Sequence, residues 1–216
     1  GKADELMLTM GAKMHKALTV DFNKNDDKRS INIDNLNDKE IAEISDFYAK
    51  LVNALQEKMG YSEKYRAYAA QDTLEHSKQK AKAYEARGTD PAVAGHINKN
   101  TDPENMAFIY KSDQISTMLD LKYAVLDAFK EYSFLDDESN WGHAANNLNG
   151  GGVAMTVANI NGKHWFVNSF GSDGKHKINL NQDLAQLEAK LAEAQKQNSQ
   201  AQTALTNAKT ELAEAS

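Results

Sequence analysis

Two histidines and two carboxylates, far apart in the chain, carry most of its capacity for chemistry. His96 heads a polar loop, Gly95–His96–Ile97–Asn98–Lys99–Asn100–Thr101–Asp102–Pro103, which leads into Glu104–Asn105 and an apolar segment. Glu131 falls late in a stretch of helical periodicity, and Gly142–His143 precedes the glycine-rich Asn149–Gly150–Gly151–Gly152. Brought together from separate elements, His96, Glu104, Glu131 and His143 would form one polar cluster, with three chemistries open to it. Both imidazoles could ligate a divalent metal such as zinc, a carboxylate or water completing the shell. The four could act as general acids and bases, since imidazole and a perturbed carboxylate exchange protons near neutral pH. Or they could form a buried polar network that braces helices against a sheet. Zinc ligation needs neutral imidazole, so affinity should fall below about pH 6.5, the ordinary value for this side chain.

No nucleophile signature accompanies the cluster. The chain has no Gly-x-Ser-x-Gly elbow and no His-Glu-x-x-His. Hydrolysis would need a metal-bound or base-activated water. Cysteine is absent, which excludes a disulfide framework, a thiolate metal site and a cysteine nucleophile. The net charge of −6 argues against nucleic acid as a partner, because a phosphate backbone calls for clustered Lys and Arg. No run approaches the ~20 apolar residues of a membrane span. No signal peptide opens the sequence, which reads as an excised piece of a longer protein.

The elements that must position the cluster follow from periodicity. Residues 3–19 read as a helix, with Met7, Met10, Met14 and Ala17 in one stripe. Asp21–Asp27 resembles the start of a calcium loop, but Asp26 and Asn32 stand where glycine and glutamate belong, so a solvated turn is expected. Asn37 or Asp38 caps a helix whose stripe runs Ile41, Ile44, Phe47, Leu51 and Leu55 and ends at Gly60. A second helix is expected from Glu63 to Arg87, stopped by Gly88, with His76 as a surface residue. A third, 113–134, buries Met118, Leu121, Val125, Phe129 and Tyr132, and places Glu131 on a face with Ala124 and Ala128. A loop over 149–152 then leads to two β runs around Asn161–Gly162, a strong hairpin signal. His164, beside Trp165 on the second run, reads as a rim or core residue and not a ligand. Helices first and strands last predict an α+β layered domain.

From Leu184 an unbroken heptad places Leu184, Leu191, Asn198, Leu205 and Leu212 in one core column and Leu187, Ala194, Ala201, Ala208 and Ala215 in the other. This predicts a coiled coil, paired with the N-terminal helix or with a second copy as a homodimer. The expected organisation is an N-terminal stalk helix and linker (1–34), a central domain (35–178) and a C-terminal coiled-coil segment (179–216).

Residues 35–170 resemble the CAP superfamily, the cysteine-rich secretory, antigen 5 and pathogenesis-related (SCP-like) fold. The resemblance rests on Val52–Asn53–Ala54–Leu55–Gln56, on His96 followed by Glu104–Asn105, on Ala124–Val125 with Glu131, on Gly142–His143 and on the closing hairpin. It departs at Ala128 and Ala144, where many relatives carry aromatics, and in lacking cysteine. Within the superfamily, Asp34–Asn35–Leu36, Asp120–Leu121–Lys122 and the acidic run before His143–Ala144 are similar to the PrgA-like surface-exclusion domains of Gram-positive cell-wall proteins. The resemblance implies an α-β-α sandwich with flanking coiled-coil helices, displayed on a stalk at the cell surface and anchored to peptidoglycan in the full-length protein. It implies a tetrad of His96, Glu104, Glu131 and His143; zinc on His96 and His143 stays one of the three chemistries that these residue types leave open. It also implies a cell-surface protein or peptide as partner, in surface exclusion, conjugation or adhesion. A metal-dependent peptidase acting on a neighbouring surface protein, or an adhesin tip binding a host ligand, are the alternatives.

Overall fold

In the computed structural model the first long helix begins where its cap predicts. Helix α1 (Asp38–Lys58) opens with Asn37 accepting the Glu40 N–H while the Glu40 carboxylate accepts the Asn37 N–H, a reciprocal capping box. Its buried stripe is Ile41, Ile44, Phe47, Tyr48, Leu51, Val52 and Leu55. The structure describes residues 9, 22–23, 25–98, 102–136, 138, 140–171 and 174–214, without the side chains of 181–190. The chain divides into two compact units, the second spanning Asn179–Ser216.

The second expected helix begins later than its periodicity suggests. A 3-10 turn at Glu63–Tyr65 is followed by a short strand, β1 (Ala67–Ala69), and only then by helix α2 (Gln71–Arg87). Long-range pairing overrides the helical pattern here, because β1 lies parallel to Gly151–Val153. The Asn53 side chain on α1 also accepts the Ala67 N–H at 2.7 Å and donates to the Ala67 carbonyl at 2.9 Å, satisfying backbone groups at the sheet margin. Gly88, at φ 65, ends α2 as expected.

After a single turn, α3 (Pro91–Ala94), come strand β2 (Glu104–Phe108), helix α4 (Met118–Phe134), helix α5 (Gly142–Leu148), and strands β3 (Gly151–Ile160) and β4 (Lys163–Gly171). Helix α4 starts at Met118, not at 113, because Thr117 and Asp120 form a second capping box there. The β3–β4 hairpin turns through Asn161 and Gly162, both at positive φ (53 and 83). Sheet order is β1-β3-β4-β2, with only the β1–β3 pair parallel.

Strand alternation divides the interior in two. Val153, Met155 and Phe166 pack with α1 and α4, whereas Ala158, Ile160, Val167 and Met106 pack with Ala81 and Tyr84 of α2. Helices therefore cover both faces of a mixed four-stranded sheet, an α+β arrangement in three layers.

The expected loop over 149–152 is shorter, since Gly151 and Gly152 already belong to β3. Gly150 has φ +71, and a Cβ there would lie 2.1 Å from the Tyr65 carbonyl oxygen. Gly60 has a similar φ of +74 but open space around it. Gly60→Ala should therefore cost only the backbone term, about 1 kcal/mol, and Gly150→Ala at least about twice that. Urea unfolding of both variants measures the difference; equal losses would mean that the Tyr65 segment yields.

Asp26, in the run compared with a calcium loop, is buried. Its carboxylate accepts from Lys122 at 2.7 Å and from Arg29 at 3.1 Å, and Glu43 binds the same two cations at 2.7 and 2.6 Å. A 3-10 turn (Asp26–Lys28) ends that run; Asn25, Asp27 and Lys28 are exposed, as expected of a solvated turn, and Asp26 alone is buried and fastens it to α1 and α4.

The second unit contains helix α6 (Leu180–Glu214), about 50 Å long at ~1.5 Å per residue. Leu191 and Leu205 of the heptad are exposed. Apart from Thr9, which is helical, the expected helix over 3–19, the side chains of Leu184 and Leu187, and Ala215 lie outside the described residues. Among those described, no helix is long and apolar enough to cross a membrane.

Candidate functional site: two imidazoles on buried carboxylates

Strand β2 opens at the sheet edge with Glu104 and Asn105, and successive side chains of a strand point to opposite faces. Glu104 turns toward α2 and Asn105 toward α5, so one dipeptide anchors both halves of the site.

On the α2 side, the Glu104 carboxylate is almost wholly enclosed. Its Oε1 accepts from the Tyr84 hydroxyl and from His96 Nδ1, the latter at 2.7 Å. Lys80 Nζ approaches Oε2 to 2.7 Å, off the direction of a hydrogen bond, and also binds Asp102 at 2.9 Å and the Ile97 carbonyl at 3.0 Å. Tyr84 accepts the Ile97 N–H at 2.8 Å, fixing the backbone beside His96. Burial, reinforced by Glu104, raises the Tyr84 pKa well above the phenol range, so the hydroxyl remains a donor. Burial works against the Asp102 charge, but hydrogen bonds from Lys80 and His76 hold its pKa below the ordinary value. His76 is exposed, as expected, and pairs with Asp102 at 3.0 Å.

On the α5 side, Asn105 Nδ2 donates to the His143 carbonyl at 3.1 Å and to Asn147 Oδ1 at 3.2 Å. Asn146 donates back to Asn105 Oδ1 at 2.9 Å. Tyr48 of α1 donates to the same Asn147 oxygen, and Asn147 donates to Ser133 Oγ at 3.0 Å. These bonds fix the short helix that carries His143. Asp136, also buried, holds His143 Nδ1 at 2.7 Å and accepts the Ala144 N–H at 3.0 Å.

His96 and His143 come together: their ring centroids lie 6.2 Å apart, and each side chain is roughly a quarter exposed (24% and 22%). A carboxylate accepting from Nδ1–H selects the tautomer whose bare nitrogen is Nε2. Neither Nε2 has a hydrogen-bond partner among the described residues. The site thus sets two imidazoles, each held at Nδ1 and about a quarter exposed, side by side on buried carboxylates.

Of the four residues read from the sequence, His96, Glu104 and His143 share this site. Glu131 is exposed, and its carboxylate has no hydrogen-bond partner among the described residues. Partial burial, with Asp127 nearby, raises its pKa. The carboxylate under His143 is Asp136, which sequence reasoning missed along with Lys80 and Tyr84. The acidic run before His143 contained it, and the i, i+4 spacing of Lys80 and Tyr84 placed both on one face of α2.

Among solved structures, the chain is similar to the CAP domain of Enterococcal PrgA, with a TM-score of 0.55 over 82% of this chain and 89% of that one. The fold is that of a CAP domain. Identity over the match is 15%, so the likeness speaks for the fold alone. No protein-family model matches the chain, and no curated protein matches it by sequence.

This fold with this donor set offers a zinc ion two imidazoles. Glu104 is enclosed by three partners, and Glu131 makes no bond to the pair. Among the described residues no group of three or more His, Cys, Asp or Glu side chains could hold a metal ion. Resident zinc centres use three or four protein ligands, so the described residues do not fit one.

Proposed function

We propose that this chain is a cell-surface CAP-type domain acting in surface exclusion, which engages a protein or peptide on a neighbouring cell through His96 and His143. The observation carrying this reading is the pair of imidazoles, 6.2 Å apart, each held by a buried carboxylate at Nδ1 with Nε2 open to a ligand. Such a pair accepts hydrogen bonds from a partner's amides or hydroxyls without reorganising, and preorganisation of this kind favours affinity. The likeness to the PrgA CAP domain and the sequence resemblance to surface-exclusion proteins support the setting. In that setting helix α6 is part of a coiled-coil stalk leading to a cell-wall anchor.

The same geometry favours a second reading. A carboxylate-held imidazole with an open Nε2 is the arrangement of a general base, so peptide hydrolysis by a base-activated water is the rival.

The chain, immobilised and challenged with a mixed panel of purified cell-surface proteins, separates the two. Intact retention that falls at least about tenfold in the His96→Ala/His143→Ala variant, with an unchanged melting temperature, is the expected result. Fragments that vanish in the same variant would transfer the site to the hydrolase reading. Retention indifferent to both substitutions would overturn the proposed contact.

A further inference from the structure

At the far end of the same strands, three polar side chains from distant segments meet in a line. Ser112 Oγ lies 2.8 Å from His164 Nδ1, and His164 Nε2 lies 2.7 Å from Asp34 Oδ1. Asn159 Nδ2 donates to that same Asp34 oxygen at 2.7 Å. Glu104 pairs with Ser169 at one end of the β2–β4 ladder, whereas the Ile109 N–H meets the His164 carbonyl beyond the other. Five residues at ~3.4 Å each separate the two places by roughly 17 Å along the strand, so this group is not part of the imidazole pair.

Each member is positioned by backbone. His164, the second residue of β4, is nearly enclosed and by alternation lies on the sheet face covered by α1 and α4. Ser112, half-buried, opens the 3-10 turn Ser112–Gln114, and the Ile109–His164 bond, 2.9 Å long, holds that loop against β4. Asp34 sits in a turn closed by its own N–H on Asn32 Oδ1 at 3.0 Å.

We propose that Ser112, His164 and Asp34 form a second reactive centre, in which Ser112 is an activated nucleophile toward carboxylic esters with a good leaving group. Asp34 accepts the Nε2 proton, which leaves the Nδ1 lone pair of His164 facing the serine hydroxyl. The two ring nitrogens thus exchange roles relative to the familiar Ser-His-Asp arrangement, but the relay is the same. As Ser112 Oγ forms its bond to the acyl carbon, the hydroxyl proton passes to Nδ1. The C–O bond to the leaving group breaks with its electron pair on oxygen, and that oxygen takes the proton from Nδ1. The products are acyl-Ser112, an alcohol and neutral imidazole. Water entering by the same route releases the carboxylic acid and restores the serine. Hydrogen bonds from His164 and Asn159 hold Asp34 below the usual carboxylate range, which keeps it an acceptor at neutral pH. Asp34 is more than half exposed, so water screens its effect and its removal should cost far less than the ~10⁴-fold of a buried triad carboxylate.

A fluorophosphonate probe, which forms a stable bond to activated serine, tests this on the whole chain by intact mass and peptide mapping. One adduct is expected, on Ser112, absent in Ser112→Ala. It should form about 100-fold more slowly in His164→Asn and about tenfold more slowly in Asp34→Asn. His164 is buried and its substitution could unfold the domain, whereas Asp34 is exposed, so Asp34→Asn keeps the test decisive. A burst of p-nitrophenol from p-nitrophenyl acetate, stoichiometric with the chain and lost in Ser112→Ala, is the second expected readout. No adduct under conditions that label trypsin, an adduct on another residue, or equal rates in wild type and Asp34→Asn would each overturn the proposal.

Discussion

Lys122→Met should destabilise the domain by about 3–5 kcal/mol, the usual consequence of removing one partner from a buried ion pair. Methionine keeps the apolar stem, so the loss isolates the charge. The ammonium, 3% exposed, lies 2.7 Å from both Asp26 and Glu43. Without it Asp26 retains Arg29, at 3.1 Å and 43% exposed, and the Asn23 N–H at 3.2 Å. For a domain of this size about 2–4 °C accompanies each kcal/mol, so the melting temperature should fall by roughly 6–20 °C.

The same cluster sets an acid dependence. Burial opposes the charge on Glu43, but hydrogen bonds from Arg29 and Lys122 prevail and bring its pKa to about 2, from the ordinary 4.5. A depressed carboxylate contributes stability that is fully present above its unfolded value and is lost as pH falls through the folded one. Wild type should therefore lose this contribution between about pH 4.5 and pH 2, and Lys122→Met should lose less over that window, having one anchor fewer. Urea unfolding at several pH values reads both effects. A variant as stable as wild type at pH 7 would show that Asp26 finds water instead.

Glu104→Gln should have the next largest effect, about 3 kcal/mol of stability and a tenfold or greater fall in partner retention. Three groups converge on this carboxylate: the Tyr84 hydroxyl and His96 Nδ1–H as donors, and the Lys80 ammonium as counter-charge. Glutamine offers one acceptor oxygen and an amide that is itself a donor, so at least one donor must face another. Lys80 also loses a counter-charge and keeps only Asp102. His96, released at Nδ1, no longer holds Nε2 toward its neighbour. By contrast His76→Ala, at the exposed end of the same network, should change stability by less than about 1 kcal/mol. Equal effects from the two substitutions would mean that the network is not organised around Glu104.

Legibility in the sequence tracked how local each cause was. The start of α1 was readable because Asn37 and Glu40 bond to each other's backbone, and the β3–β4 turn because Asn161–Gly162 accepts positive φ. Strand β1 was not, since Ala67–Tyr68–Ala69 has no strand signal of its own and depends on β3, more than eighty residues away. His96 and Glu104 were legible as partners because only a short loop separates them. Asp136 lay within an acidic run, and periodicity placed Glu131 instead on the α4 face that its alanines share. The α5 turn that directs His143 back onto Asp136 depends on Asn105 and Asn147, whose bonds no local pattern specifies. Nothing local to the sequence singles out Lys80 or Lys122 from other helix lysines. Their burial follows from carboxylates that arrive from β2, α1 and the Asp26 turn.

Long-range ¹H–¹⁵N correlation spectra of the labelled chain at pH 7.5 address the imidazole pair most directly, because they report which ring nitrogen carries the proton. His96 and His143 should both be protonated at Nδ1 and bare at Nε2, each held by its carboxylate. A bare Nδ1 on either ring would mean that the carboxylate does not hold it, and the preorganised two-imidazole site would be contradicted.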